Sequence, residues 1–221
     1  MSKKPILDWR YAIGEIIIVI ISISIAFGLN NWASARKDRQ KAEQYLENLQ
    51  EDLLSDRAAL QTIDLRLDTA LQQHWGISRH FFATIPGRDT VAFAFFKQLN
   101  RPYDFFPHNA TFESLRYSGD FELIKGIDLK NKIVEHYGKY AVIEKNLSTY
   151  ERTQFDYSFR FFHENLDYSK LQQTKGLDML KNPKFSNLVF SNIGLLGRMQ
   201  DGVQASIQRC DSLIHQIKLE L

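Results

Sequence analysis

Six histidines and one cysteine are the side chains in this 221-residue chain best suited to nucleophilic, acid–base or metal chemistry. They are His74, His80, His108, His136, His163, His215 and Cys210. Metal and hydrolase motifs on helices repeat their ligands at fixed spacing, as in H-E-x-x-H, because residues three or four apart share one face. None of the seven falls in such a motif, and no glycine-rich phosphate loop or G-x-S-x-G elbow is present. We therefore predict no catalytic residue, no metal site and no cofactor, and we expect Cys210 to be a small buried side chain.

Glu15 is the one charged residue in an apolar run, residues 11–29, YAIGEIIIVIISISIAFGL. An ionised group at the centre of a bilayer costs about 2.5–3.5 kcal/mol, and less near its edge. Glu15 follows Tyr11 by about one turn. It could pair with Arg10 or lipid at the headgroups, or it could face a helix–helix interface or a proton path. The sequence leaves both interpretations open.

Small residues in the same run favour close helix packing. Ser24 and Gly28 are four apart, a spacing that lets two backbones approach in a membrane, and Gly14 lies one turn into the run. These residues and Glu15 are the predicted polar and packing positions of a transmembrane helix.

The segment TFESLRYSG, residues 111–119, is the other candidate site. Glu113 and Arg116 are three apart and can pair on one helix face. Thr111 can cap the helix and Gly119 can end it. The alternative is a partner or small-ligand site formed by these four residues beside the aromatic side chains of residues 81–121.

The apolar run predicts a transmembrane helix over residues 11–32. About 20 apolar residues cross a bilayer core, and Trp9, Tyr11 and Trp32 stand where aromatic rings anchor at the two interfaces. The alternative is a cleaved signal peptide with a mature start at Arg36, since residues 33–35 read Ala-Ser-Ala.

Basic residues flank the run on both sides in similar numbers, so the positive-inside rule gives little preference for either orientation. They are Lys3, Lys4 and Arg10 before the run, and Arg36, Lys37, Arg39 and Lys41 after it. A short tail of residues 1–10 favours a cytoplasmic N-terminus and a large domain outside.

The rest of the chain, residues 33–221, predicts an all-α fold. Leucines recur every seven residues at 46, 53, 60 and 67, with a polar interruption at Asp56. We predict long helices over about 33–75, 128–165 and 182–219 in an antiparallel bundle, with short helices between them. Asn182-Pro183 is typical of a helix start. The heptad fits either a bundle within one chain or a coiled coil between chains.

Composition narrows the class of protein. Hydrophobic residues make up 44% and charged residues 24%, which excludes a disordered tail and a polytopic transporter. A formal net charge of +2 gives no reason to expect a nucleic-acid partner. A single cysteine forms no internal disulfide.

The residues 11–32, YAIGEIIIVIISISIAFGLNNW, resemble the opening signature of an uncharacterised family of single-span membrane proteins common in Bacteroidota. Its pattern is roughly Y-A-x-G-E-I, an aliphatic run and A-x-x-x-N-N-W. Residues 111–124 and 180–188 are similar to later blocks of that family. The resemblance implies a membrane anchor, a helical fold and the bacterial envelope, and it implies no activity. With the orientation given above, the predicted location is the bacterial inner membrane, with the large domain in the periplasm.

The leading interpretation is a non-enzymatic, single-span helical protein of the bacterial envelope that acts in interaction or assembly. We expect it to contact the bilayer and to bind itself or another envelope protein. One alternative is a subunit of an ion-driven or channel-forming assembly that uses Glu15. Another is a helical bundle that senses a ligand.

Overall fold

The computed structural model describes residues 9–83, 91–99, 102–166 and 177–221. These residues form helices α1 Trp9–Ser78, α2 Val91–Leu99, α3 Ala110–Ser118, α4 Ile127–Thr153, α5 Arg160–Asn165, α6 Leu177–Leu180 and α7 Pro183–Glu220. Short 3₁₀ turns cover Arg79–Phe81 and Asp120–Leu123, and a π-helical turn, Gln154–Phe159, joins α4 to α5. No strand occurs in the described ranges, so the all-α prediction is confirmed.

Helix α1 has two different halves. The apolar residues of its first half are exposed, whereas burial begins at Ala42. From there the heptad positions are buried in turn: Leu46, Leu49, Leu53, Asp56, Leu60, Ile63 and Leu67. A period near 3.5 residues keeps these side chains on one stripe of the helix. The chain's own helices cover that stripe, as the interpretation of a bundle within one chain requires.

The long helices form a three-helix bundle. Contacts between α1 and α7 join Arg57 to Asp211 at 3.1 Å and Gln204 to Asp64 at 3.1 Å, so these two helices are antiparallel. Helix α7 is also antiparallel to α4, since His136 contacts Cys210 and Gln154 contacts Asn192. Helices α1 and α4 therefore run in the same direction.

Two parallel helices require the chain between them to travel back along the bundle. The extended residues 102–109 do this in the groove between α1 and α4. Tyr103 packs edge-on against Tyr150 of α4, with ring centroids 5.7 Å apart, and Phe105 packs on Tyr140 in the same way at 5.1 Å. Arg66 of α1 donates to the carbonyl oxygen of Pro102 at 2.6 Å. The segment thus forms part of the core.

Local signals set several helix ends. Asn182 accepts a hydrogen bond from the backbone N–H of Lys184 at 2.9 Å and Pro183 opens α7, which confirms the predicted cap. Gly119 ends α3 with a φ of 77°, the left-handed conformation that favours glycine. Thr111 does not cap α3, because the helix already begins at Ala110 and Asn109 holds the cap position.

Candidate functional site

A buried polar cluster lies at the centre of the bundle, where Asp56 interrupts the leucine heptad. Asp56 is 0% exposed, and its Oδ1 accepts from both the backbone N–H and the ring Nδ1 of His108, each at 2.8 Å. The carboxylate therefore binds the returning segment to α1. A buried carboxylate needs such donors, because desolvating it without partners costs several kcal/mol.

Three further side chains complete this polar cluster. His136 and Tyr140 are one turn apart on α4, and His136 Nε2 lies 2.7 Å from the Tyr140 hydroxyl. Cys210 of α7 places its Sγ 3.7 Å from that hydroxyl and 3.8 Å from His136 Nε2. An acid–base group, a hydroxyl and a thiol therefore meet at one point, as they do in some nucleophilic sites.

Burial sets the charge state of these groups. Desolvation, aided by the positive charge of Arg209, lowers the pKa of His136 to about 4. Desolvation likewise raises the pKa of the Cys210 thiol to about 11 and raises the pKa of Tyr140 far above its usual value. Imidazole, phenol and thiol are thus all neutral at pH 7. A thiolate is the reactive form of cysteine, so this geometry favours a structural hydrogen-bond network over a nucleophile.

The buried His136 predicts an acid-sensitive fold. Its pKa is lower in the folded chain than the ordinary 6.5, so the unfolded state gains the proton first as the pH falls. Stability should be full above about pH 6.5 and should fall by about 2–3 kcal/mol as the pH drops to about 4. Urea unfolding at pH 7.5, 6 and 4.5 measures this. The variant His136→Gln should reduce the loss but not abolish it, because burial also lowers the pKa of His74. His215→Gln, at an exposed position, should leave the profile unchanged.

The predicted site of α3 is only partly assembled. Glu113 Oε1 lies 3.5 Å from Arg116 Nη1, as their spacing predicts. Glu113 also lines a cleft of about 140 Å³ together with Phe112 and Tyr137. Thr111, Arg116 and Gly119 do not line that cleft. Glu113 and Arg116 pair on α3 and Gly119 ends the helix, whereas Thr111 has neither role. Glu113 meets the aromatic side chains of the cleft, and the Arg116 guanidinium lies 5.5 Å from the Tyr117 ring.

The predicted membrane residues all lie on the exposed half of α1. Trp9, Tyr11, Glu15 and Trp32 are exposed, and a Cβ added to Gly14 or Gly28 would meet open space. Ser22 donates to the carbonyl oxygen of Ile18 at 2.8 Å, so this hydroxyl is satisfied within its own helix. The side chain of Arg10 lies outside the described residues, so its pairing with Glu15 stays a prediction.

Basic residues after the apolar run form a collar. The Arg36 guanidinium lies 5.6 Å from the Trp32 ring, and Arg39 pairs with Glu43 at 2.8 Å. Lys41 pairs with Asp120 at 2.8 Å, which lowers the pKa of that carboxyl to about 2, and Tyr45 donates to the same carboxylate. These contacts attach the Asp120–Leu123 turn to α1 beside the apolar half of the helix.

A second polar group, which the sequence analysis does not predict, lies at the π-helical turn. Gln154 Nε2 donates to Asn192 Oδ1, and Asn192 Nδ2 donates to the Leu188 carbonyl at 2.9 Å and contacts Ser158 Oγ at 3.5 Å. Beside this group is a cavity of about 310 Å³. Polar residues spaced four apart in an aromatic stretch were the available signal, and they do not distinguish a π turn from an ordinary helix.

The part of the chain that the structure describes contains no candidate metal site. No group of three His, Cys, Asp or Glu side chains is placed there to hold an ion.

These observations define a class of protein, an all-α bundle whose first helix is apolar enough, over its exposed half, to cross a membrane. The chain belongs to a family of unknown function, DUF6090, whose model matches residues 15–189. This match confirms that the chain belongs to an uncharacterised family. No curated protein and no solved structure matches the chain.

Proposed function

We propose that this chain is a non-enzymatic, single-span membrane protein whose helical bundle serves interaction or assembly in the bacterial envelope. The observation that carries the proposal is the exposed apolar half of α1. None of its most apolar 18-residue window is buried inside the molecule. Leaving so many isoleucine side chains in water would cost about 25 cal/mol for each Å² of apolar surface. A bilayer removes that cost.

The continuity of α1 supports an anchor that is kept. The helix runs without a break through residues 33–35, the position of the alternative cleavage site, and enters the bundle at Ala42. Ten residues separate Trp32 from Ala42, about 15 Å of helix. The bundle would then stand close to the headgroups, with the collar and the Asp120–Leu123 turn facing them.

The buried polar cluster favours a structural role over catalysis. Asp56, His136 and Cys210 are all buried, and the thiol and imidazole are neutral at pH 7. A substrate would have no charged nucleophile to meet there. We therefore assign this cluster to fold stability.

The partner that we favour for the transmembrane helix is a second copy of the same helix. At 100° per residue, Gly14, Ser24 and Gly28 fall within about 80° of arc on α1, which gives a narrow face of small residues. Glu15 lies about 100° from Gly14, outside that arc. A second helix could approach the small-residue face closely without burying the carboxylate.

Counting copies of the full-length chain in native-lipid nanodiscs tests the assembly role. We expect two or more copies per particle, reduced to one by Gly28→Leu and unchanged by Leu29→Ile on a neighbouring face. A ring of several copies that loses function with Glu15→Gln would favour the ion-driven alternative instead. A single copy without a bound partner would contradict the proposal.

Orientation is tested separately, with reporter fusions at the C-terminus. The proposed periplasmic bundle predicts an active alkaline phosphatase fusion and a dark green fluorescent protein fusion in a bacterial host. The reverse pattern would place the bundle in the cytoplasm.

A further inference from the structure

The cavity beside the π-helical turn is open to solvent and is lined by three parts of the chain, the first of them Leu99 at the end of α2. The returning segment contributes Tyr103 and Asp104, and α4 with its π turn contributes Tyr150, Glu151 and Gln154. Phe155 and Phe159 complete the aromatic wall. Its volume of about 310 Å³ is at the lower end of the range for small-molecule sites.

The charged residues that line the cavity are acidic. Asp104 and Glu151 are both exposed carboxylates, and no basic side chain lines the cavity among the described residues. The Arg66 guanidinium lies 5.0 Å from the Tyr103 ring, but it does not line the cavity. Carboxylates beside aromatic faces attract an organic cation, because the ring quadrupole and the carboxylate act in the same direction.

Gln154 supplies an independent indication. Its side chain lines the cavity and is 3% exposed, and its Nε2 is held by Asn192. Its Oε1 accepts no hydrogen bond from any described residue. A buried amide oxygen without a donor is destabilising, so a ligand N–H that reaches it would gain a hydrogen bond that the chain does not supply.

The π turn explains why this site has its shape. Inserting a residue into the helical repeat shifts the following side chains, and such turns occur frequently at functional sites. Here Phe155 is 74% exposed, although it is a large apolar ring on the rim of the cavity. An aromatic side chain left in water beside a cavity gains buried area when a ligand with an apolar body enters.

We infer that this cavity binds a small organic ammonium ion with an apolar body, held by Glu151 and Asp104, the aromatic rings and the free oxygen of Gln154. The ammonium N–H groups would donate to the carboxylates and to Gln154 Oε1. The apolar body would lie against Phe155 and Phe159. The inference is independent of the membrane role and stands on the geometry of the bundle.

The proposed cation site is tested by titrating the full-length protein with phenylethylammonium, with binding measured by calorimetry and by side-chain NMR. We expect saturable binding in the millimolar range or tighter, and at least tenfold weaker binding of phenylethanol and of phenylacetate. Glu151→Gln should weaken binding about fivefold, since it removes one exposed ion pair. Phe155→Ala should weaken it by a similar factor.

Matched controls are available on the same helix. Glu144→Gln removes the same charge from an exposed position about 10 Å away, and Tyr157→Ala removes a ring that is 65% exposed and does not line the cavity. Both should bind as the wild type does. Equal binding of phenylethanol, equal losses in the control variants, or no saturable binding would each overturn the inference.

Discussion

A chain carrying Ile20→Lys and Ile23→Lys is expected to leave the membrane fraction. Both side chains lie near the middle of the apolar run and both are exposed. A lysine at the centre of a bilayer costs about 2.5–3.5 kcal/mol, so the pair adds about 5–7 kcal/mol to insertion. Fractionation with an alkaline carbonate wash should find the wild type in the pellet and the variant in the supernatant.

The matched control places the same two charges outside the apolar run. Asn31→Lys and Ser34→Lys keep the three-residue spacing but lie at the polar end, so this variant should stay in the pellet. The bundle of both variants should melt at the wild-type temperature, because this half of α1 buries nothing against it. A double-lysine variant that remains in the carbonate pellet would contradict the anchor.

Replacing Phe185 by alanine is expected to cause the largest loss of stability from a single substitution. The ring is completely buried at the end of the bundle far from the apolar half of α1. It packs edge-on against Phe95 at 5.5 Å and stacks on Phe161 at 5.9 Å. Truncating such a residue costs about 3–5 kcal/mol through lost burial and the cavity that remains. The melting temperature should fall by about 10 °C.

Phe190→Ala is the control for this experiment. Its ring lies one and a half turns further along α7, is 38% exposed and contacts Phe82, which is itself exposed. Its removal should cost less than about 1 kcal/mol. If the two variants melt at the same temperature, the aromatic rings around Phe185 are not a cooperative part of the core.

The local features of the fold could be read from the sequence. The leucine heptad identified the buried stripe of α1, because a period of 3.5 residues depends only on neighbouring residues in the chain. Asn182-Pro183 and Gly119 identified two helix ends for the same reason, since capping is satisfied within four residues. Thr111 was misassigned as a cap because the helix begins one residue earlier.

The non-local features could not be read. The contact of Asp56 with His108 spans 52 residues and that of Tyr140 with Cys210 spans 70. Spacing along the chain carries no information about pairs this distant. In the sequence Asp56 is a polar interruption of the leucine heptad, and its partner, His108, lies on a loop. The direction of α4 relative to α1 depends on the path of that loop. The sequence therefore does not predict that these two helices are parallel.

The π turn was missed for a different reason. A single inserted residue changes which side chains point inward, but it leaves the composition of the helix unchanged. The sequence predicts one long helix over about 128–165. In the structure the π turn interrupts that helix, Phe155 and Tyr157 of the turn are exposed, and Gln154 and Ser158 are its buried residues.

The most direct test of the membrane anchor is the intact mass of the protein extracted from bacterial membranes. A retained anchor predicts a mass of 25.8 kDa, apart from changes at the first methionine, and recovery in the carbonate-resistant pellet. A shorter chain that begins at Arg36 and is recovered without detergent would show that the apolar helix is a cleaved signal, and would contradict the account.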